Sequence, residues 1–233
     1  VLDVGLTDML EDHKIYGGIL GLTDFRSAKY FAEYYYLKRR VDLSMSYDIQ
    51  SLHFADFAFI SSGKYRLQEV NFMMSYPFTV SKSIRFTPFF VQTRYTDLNT
   101  LSSSDFVTNF TGYNSEFVID NSIVYGLNMV EGTRFKVGFK SYFGLKDKEN
   151  NFNILKIDLR HYQKIHREIT LASRISYGYS FCKASKLFSL GGMDNWWFYP
   201  PIAFEPETKN LLLEDANELL FLSFATNLRG FNY

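Results

Sequence analysis

The sequence predicts an all-β chain, a transmembrane antiparallel β-barrel of which about ten strands are present. Three observations lead to this prediction. Apolar and polar residues alternate along one run after another, and these runs are longer than the strands of most soluble proteins. Aromatic residues also make up 18% of the 233 residues, with 24 Phe and 17 Tyr. Membrane barrels need such side chains, because aromatic girdles lie at both membrane interfaces.

The alternation is clearest in residues 41–50. The apolar positions are Val41, Leu43, Met45, Tyr47 and Ile49, and the polar positions are Asp42, Ser44, Ser46, Asp48 and Gln50. Successive side chains of a strand point to opposite faces, so this run is a strand with one apolar and one polar face. The same pattern returns in residues 69–78, 134–143, 155–160 and 169–181.

Ten strands follow from the alternating runs and from the turn signals between them. In chain order they are 1–9, 15–23, 29–38, 40–52, 65–78, 83–96, 115–128, 133–145, 152–164 and 168–181. Tight turns are predicted at Leu37–Arg40, Thr79–Lys82, Met129–Thr133 and Ile165–Glu168, and longer loops at Leu52–Lys64, Leu98–Asn114 and Gly144–Asn151. Outer-membrane barrels have short periplasmic turns and longer external loops, so we expect the long loops outside.

A soluble β-sandwich is the alternative architecture, since its strands also have one polar face. Strand length favours the membrane barrel. The runs have about 9–14 residues, whereas soluble strands cluster near 5–6 and a tilted membrane strand needs about 9–11. Lys, Arg and Asp also share one face with Ser, Thr and Gly, which suits a water-filled lumen.

The composition argues against several other classes of protein. The 25 basic and 25 acidic side chains balance, so no long-range field favours nucleic acid as a partner. The one cysteine, Cys182, allows neither an internal disulfide nor a cysteine-based metal cluster within this chain. The four histidines show no tight ligand pairing, so no metal site and no cofactor are predicted. No run approaches the roughly 18 apolar residues of a transmembrane helix.

The sequence also lacks the motifs that would indicate an enzyme. It contains no Gly-x-Ser-x-Gly elbow, no phosphate loop and no His-Glu-x-x-His. A phospholipase barrel needs a Ser/His pair, for which His53 or His161 is available, but a lumenal or surface histidine is the simpler interpretation. We therefore predict no catalytic residues.

The alternation ends after Lys183, and prolines in the following segment exclude a regular strand. We expect a long external loop over residues 184–230, and a loop of this length is usually functional. Two features stand out in this loop. They are a Gly-Gly turn at Gly191 and Gly192 and the aromatic cluster of the loop, at Trp196 and Trp197. The cluster is a candidate for binding a sugar or a lipid, although packing within the loop is the simpler interpretation.

Near the end of the chain stands Asn227-Leu228-Arg229-Gly230-Phe231. Together with the Gly-Gly turn, this segment resembles the signature of the BamA-type outer-membrane barrels, the bacterial surface antigen superfamily. Barrels of that family carry an Arg-Gly-Phe tripeptide at the tip of the sixth external loop. The resemblance implies that Arg229, Gly230 and Phe231 fold back into the lumen, where the arginine contacts later strands. A guanidinium there requires carboxylate or carbonyl partners, and a buried Phe anchors the tip.

Two further patches are similar to Bacteroidetes barrels that follow a TolB-like β-propeller on the same polypeptide. They are Leu6-Thr7-Asp8-Met9-Leu10 and Gly191-Gly192-Met193-Asp194-Asn195-Trp196. The resemblance covers essentially all of residues 1–233, as one barrel domain, and implies a closed barrel of sixteen strands. We therefore expect that further strands after Tyr233, or strands of another chain, complete the sheet, and that a signal segment precedes Val1. The sequence leaves open whether a propeller also precedes Val1.

The resemblance also implies a place and a set of partners. The place is the outer membrane of a Gram-negative bacterium, and the partners are its lipid and lipopolysaccharide together with other envelope protein subunits. Three functions remain open at this point. The first is a BamA-like role in outer-membrane protein assembly or polypeptide translocation. The others are an accessory or structural barrel within a larger envelope complex, and a passive pore.

Overall fold

The computed structural model of the chain describes residues 2–21, 27–54, 63–98, 105–126, 129–146, 148–167 and 169–185. These residues form an antiparallel sheet of eleven strands. The strands are β1 (Leu2–Thr7), β2 (His13–Gly21), β3 (Ala28–Tyr36), β4 (Asp42–Phe54), β5 (Gly63–Thr79), β6 (Lys82–Asp97), β7 (Phe106–Asp120), β8 (Ile123–Gly126), β9 (Met129–Gly144), β10 (Phe152–His166) and β11 (Ile169–Phe181). Within the described residues the only helical element is a 3₁₀ turn at Lys148–Asn150.

Neighbours in the sheet are also neighbours in the sequence. The strands from β1 to β7, and then β9, β10 and β11, each pair antiparallel with the next, while β8 pairs with the start of β9. Strand ends therefore alternate between two rims of the sheet. At one rim, called the turn rim, lie the strand ends Thr7, His13, Tyr36, Asp42, Thr79, Lys82, His166 and Ile169. At the other, called the loop rim, lie the strand ends Gly21, Ala28, Phe54, Gly63, Asp97, Phe106, Gly144 and Phe152.

The prediction of an all-β, antiparallel chain is confirmed. The finer prediction, closure into a barrel, goes beyond the sheet that the structure describes. In the described part of the chain, β1 pairs with β2 alone and β11 pairs with β10 alone, so these two strands are the edges of the sheet. Closure remains a prediction.

One predicted loop was wrong. We expected a loop at Leu98–Asn114 and a strand at 115–128, but β7 already begins at Phe106. The residues from 106 onward alternate poorly, because Asn and Thr stand on both faces near the rim. Pairing with β6, where Phe110 lies opposite Val91, holds this segment in the sheet. The local sequence therefore does not indicate this part of β7, which is stabilised as a strand by its pairing with β6.

The predicted tight turn at Met129–Thr133 was also wrong. These residues begin β9, and β8 forms a small hairpin with them, which makes eleven strands rather than about ten. Gly132 has a φ of 119°, a conformation that side chains rarely adopt. A Cβ atom at this position would lie 2.7 Å from the carbonyl oxygen of Asn121. This position near the start of β9 therefore requires glycine.

The register assigns every side chain to one of two faces. The polar face carries Asp42, Ser44, Ser46, Asp48 and Gln50 of β4 and the residues in register with them on the other strands. The apolar face carries Leu43, Met45, Tyr47 and Ile49 and the residues in register with these. The two faces of β4 are therefore those that the alternation predicts.

The buried side chains lie on the polar face. Among the described residues, the buried hydrophobic side chains larger than alanine are Tyr65, Phe89, Val91, Phe110, Tyr142, Phe152, Ile154 and Tyr162, and all of them are on that face. A single-layer sheet shields one face from solvent only where it bends toward that face. The burial therefore indicates that the sheet curves around its polar side.

Candidate functional site

A band of exposed apolar side chains crosses the outer, apolar face of the sheet. It includes Val4, Ile15, Tyr30, Met45, Phe72, Phe86, Ile175 and Tyr177. The exposed fraction is 51% at Met45 and 67% at Ile175. Water-soluble monomers rarely expose a contiguous apolar patch of this extent, because its hydration is costly.

The band has a polar border toward the loop rim. On β5 its side chains run from Val70 to Phe78, and Gln68 is the next residue on the same face. On β6 the corresponding residue is Gln92, whose Nε2 donates a hydrogen bond of 2.9 Å to Oδ1 of Asn109 on β7. The stretch from Val70 to Phe78 has the length that a tilted strand needs to cross a bilayer, about 9–11 residues.

Three arginines form a row across the polar face close to the turn rim. Arg160 of β10 lies directly opposite Arg134 of β9 and directly opposite Arg174 of β11. Like charges in this position destabilise a sheet. The carboxylate of Asp158 offsets the charge of two of these arginines. It accepts hydrogen bonds of 2.8 Å from Nη2 of Arg160 and 2.9 Å from Nη2 of Arg174. Asp120 offsets the third, with Nε of Arg134 at 3.1 Å from its Oδ2.

Three lysines surround a glycine in the middle of the polar face. Lys136 and Lys140 stand on either side of Gly138 in β9, while Lys156 of β10 and Glu116 of β7 lie directly opposite Gly138. Because glycine has no side chain, a cavity of about 230 Å³ remains between these four charged side chains. We call this arrangement the lysine cavity.

One wall of the lysine cavity is held by hydrogen bonds. Glu116 accepts bonds of 2.7 Å from Nζ of Lys136 and 3.1 Å from Nδ2 of Asn114. On the loop-rim side, Nζ of Lys140 lies 4.5 Å from the ring centroid of Phe89 and 4.8 Å from that of Tyr142. An ammonium over an aromatic face is attracted by the electron density of the ring. These contacts hold three of the four charged groups in place, namely Glu116, Lys136 and Lys140.

Closer to the loop rim, the polar face carries an aromatic cluster. It consists of Phe89, Val91, Phe110, Tyr142, Phe152 and Ile154. The rings of Tyr142 and Phe152 stack at 4.5 Å, and those of Phe110 and Phe152 meet edge to face at 6.3 Å. Such pairs stabilise beyond their buried area by about 0.5–1.5 kcal/mol. The cluster makes this part of the polar face packed and apolar.

Charge is divided unequally along the polar face, although the chain as a whole is neutral. On β1 to β5 the charged residues of this face are mainly acidic: Asp3, Glu33, Asp42, Asp48 and Glu69, with Lys14 and Lys29. On β6 to β11 they are mainly basic: Arg85, Arg134, Lys136, Lys140, Lys156, Arg160, Lys164 and Arg174, with Glu116, Asp120 and Asp158. The second part therefore presents a positive surface to anions.

The residues that the sequence singled out lie elsewhere. Arg229, Gly230 and Phe231, and also Gly191, Gly192, Trp196 and Trp197, are all outside the described residues. The predictions made for them stay predictions. Of the two nominated histidines, His161 lies on the apolar face, where its Nδ1 is 2.9 Å from Oγ1 of Thr133.

The lysine cavity and the arginine row were missed as sites. Their members appeared in the sequence only as polar positions of separate alternating runs. Which of them meet is decided by cross-strand register, since Glu116 and Lys156 approach Gly138 from strands on either side of it. The available signal was the recurrence of lysine and arginine, rather than serine and threonine, on the polar face of β9 and β10.

Among the described residues, no helix is long and apolar enough to cross a membrane. No group of three or more His, Cys, Asp or Glu side chains is placed to hold a metal ion in this part of the chain. Comparison with known proteins adds no relative, since no protein-family model and no curated protein matches the sequence.

Proposed function

We propose that these strands form the wall of an outer-membrane β-barrel, with the apolar face against lipid and the polar face lining an aqueous lumen. One observation carries the proposal. The shielded side of the sheet holds the charged residues, and the exposed side is apolar, which is the reverse of a soluble protein and the arrangement of a membrane barrel. The edges β1 and β11 would leave unpaired backbone groups in lipid, so the proposal includes their closure by further strands.

Within this class, we propose a role in outer-membrane protein assembly or polypeptide translocation. The support is the resemblance to the BamA-type barrels, above all at Arg229, Gly230 and Phe231. The expected partners are outer-membrane lipid, lipopolysaccharide and other envelope subunits. An accessory or structural barrel of an envelope complex is the second candidate, because the resemblance extends to a branch that need not have the assembly activity.

The aromatic cluster argues against a passive pore. Phe110 and Phe152 are almost fully buried on the polar face and fill the inner side of the wall near the loop rim. A general diffusion pore requires a polar, hydrated wall along its whole length. We therefore rank the pore below the other two functions. Conductance of a planar bilayer containing the protein, with large and steady open channels, would reverse this order.

Cysteine labelling tests the barrel directly. In a Cys182→Ala background, single cysteines replace Tyr47 and Ser46, which are adjacent in β4 and point to opposite faces. With a hydrophilic maleimide on outer-membrane vesicles, we expect Ser46→Cys to react and Tyr47→Cys to be protected by lipid. A soluble sheet gives the opposite result, because Tyr47 is the more exposed of the two. Labelling of Tyr47→Cys in intact membranes would exclude the proposal.

Depletion separates the two remaining functions. If the protein assembles other barrels, lowering its cellular level should reduce many outer-membrane proteins together, as seen in a whole-membrane protein profile. If it is an accessory barrel, the profile should change only for the subunits of its own complex. A normal profile after depletion would exclude the assembly role and leave the membrane barrel unaffected.

A further inference from the structure

We propose that the lysine cavity is a binding site for a small dianion of the phosphate class. The site consists of Lys136, Lys140 and Lys156 around Gly138, on the polar face of β9 and β10. The proposal goes beyond the proposed function, because it requires only that water and solutes reach the polar face.

The backbone leaves space beside one of the three lysines. Lys156 stands between two glycines in register, Gly138 on β9 and Gly178 on β11. No side chain therefore stands directly opposite Lys156 on either neighbouring strand, and Lys156 itself lines the cavity. Asn114 and Ile154 complete the lining, and the volume of about 230 Å³ admits one phosphate group with water rather than a folded segment.

The lining of the cavity also carries a net positive charge. The lining contains three ammonium groups and one carboxylate, and the carboxylate of Glu116 is already held by Lys136 at 2.7 Å. The net charge of the lining therefore corresponds to two positive charges. Ammonium groups that share a small space repel one another, and a bound dianion converts this repulsion into attraction.

One ammonium group of the cavity is held in place by aromatic rings. The ammonium of Lys140 rests against Phe89 and Tyr142, which belong to the buried aromatic cluster. A cation held at a fixed place beside an apolar wall interacts more strongly with an anion than a mobile surface lysine does, since less water screens it and less side-chain entropy is lost. The aromatic cluster thus gives the cavity one rigid, poorly hydrated side.

The source of the phosphate group follows from the face on which the cavity lies. Lysine suits phosphate as a compact point charge, and phosphate occurs both in soluble metabolites and in lipid headgroups. The cavity is on the face opposite the apolar band, so a lipid packed against that band cannot place its headgroup there. We therefore commit to a soluble anion, either inorganic phosphate or a small phosphate monoester.

Titration calorimetry with inorganic phosphate tests the site, using the full protein in uncharged detergent micelles at about pH 7.5, where phosphate is mostly dianionic. We expect saturable binding that weakens about tenfold or more in Lys140→Gln and in Lys156→Gln. The matched control is Lys164→Gln, which removes one charge from the same face of β10 near the turn rim and should bind like the wild type.

A second variant fills the cavity without changing its charge. Gly138→Val should abolish binding and still fold, because its Cβ would meet its nearest atom, Cγ of Glu116, only at 3.6 Å and the cavity of about 230 Å³ has room for its two methyl groups. The proposal is overturned if wild type shows no saturable binding near 10 mM phosphate, roughly the weak limit of a specific site. It is equally overturned if Lys164→Gln weakens binding as much as Lys156→Gln, since the charge would then be diffuse.

A titration in lipid vesicles distinguishes a soluble phosphate from a lipid headgroup as the ligand of the cavity. If the same titration in phosphatidylglycerol vesicles shows no binding of inorganic phosphate, a lipid headgroup occupies the cavity and the soluble-anion proposal is wrong. Unchanged binding in these vesicles supports it. The labelling of Tyr47 and Ser46 reports on the barrel independently, so the two proposals can fail separately.

Discussion

Arg174 of β11 donates a hydrogen bond to each carboxylate oxygen of Asp158 on β10. Its Nε lies 3.0 Å from Oδ1 and its Nη2 lies 2.9 Å from Oδ2. The contact is diagonal, since the register places Arg174 opposite Arg160 rather than opposite Asp158. A bidentate contact of this kind fixes the orientation of both groups and is stronger than a single neutral hydrogen bond. One carboxylate therefore holds two arginines that would otherwise repel each other.

Replacing that carboxylate should destabilise the sheet. In Asp158→Asn the guanidinium groups of Arg160 and Arg174 remain opposite each other and lose their shared charged acceptor. We expect the free energy of unfolding to fall by about 1–3 kcal/mol. Urea unfolding in micelles, followed by circular dichroism, measures the change.

The control for Asp158→Asn is Glu149→Gln. Glu149 lies 3.7 Å from Lys183, and both side chains are more than two thirds exposed. Exposed pairs contribute little because water and salt screen them, and a change below about 0.5 kcal/mol is expected. Equal losses in the two variants would mean that the contacts of Asp158 add nothing specific to stability.

Gly112 is the position where an added methyl group should be least tolerated. A Cβ there would run into the carbonyl oxygen of Ser141 and would lie 2.7 Å from Cζ of Phe89. The obstructing oxygen belongs to the backbone of β9, so the sheet itself must shift. We expect Gly112→Ala to lower the free energy of unfolding by about 1–3 kcal/mol, again in urea titrations.

Gly138→Ala provides the comparison for Gly112→Ala within the same sheet. Its Cβ would be at ordinary contact distance, 3.6 Å from Cγ of Glu116. Alanine also restricts the unfolded chain more than glycine does, so stability should be unchanged or slightly increased. If Gly138→Ala is as damaging as Gly112→Ala, the close approach of β7 and β9 is not the cause.

The division into two faces could be predicted from the sequence because it is local. In β4 each of the residues 42–50 lies on the face that the alternation predicts, since side chains of a strand alternate whatever surrounds them. The same rule failed at the start of β7. There Asn109 and Thr111 share one face near the rim, and only the pairing with β6 makes the segment a strand.

The candidate site could not be predicted, because it depends on register. Glu116, Gly138 and Lys156 are separated by many residues and meet only because β7 and β10 both pair with β9 in one alignment. A slip of one residue would turn each of them to the other face. Sequence reasoning instead selected a short motif, Arg229 to Phe231, which lies outside the described residues and stays a prediction.

Arg229→Ala tests that motif. The proposed likeness to the BamA-type barrels predicts that Arg229 contacts carboxylate or carbonyl groups of later strands and that its loss leaves these groups unpaired. We expect the free energy of unfolding to fall by about 1–3 kcal/mol. The folded protein should therefore lose its fast gel mobility at a lower temperature. Arg39→Ala, in the exposed turn between β3 and β4, should leave this temperature unchanged. Identical temperatures for both variants would count against a docked Arg229.

Met45→Arg distinguishes a membrane sheet from a soluble one. Met45 lies in the apolar band of β4 and is 51% exposed, so a soluble protein would accept arginine there with little change. In a bilayer the same charge is placed at lipid depth and should cost about 2–4 kcal/mol. Val80→Arg, in the fully exposed turn between β5 and β6, is the control and should cost about 0–1 kcal/mol. Urea titration of protein folded into vesicles measures both, and equal stabilities would contradict the membrane barrel.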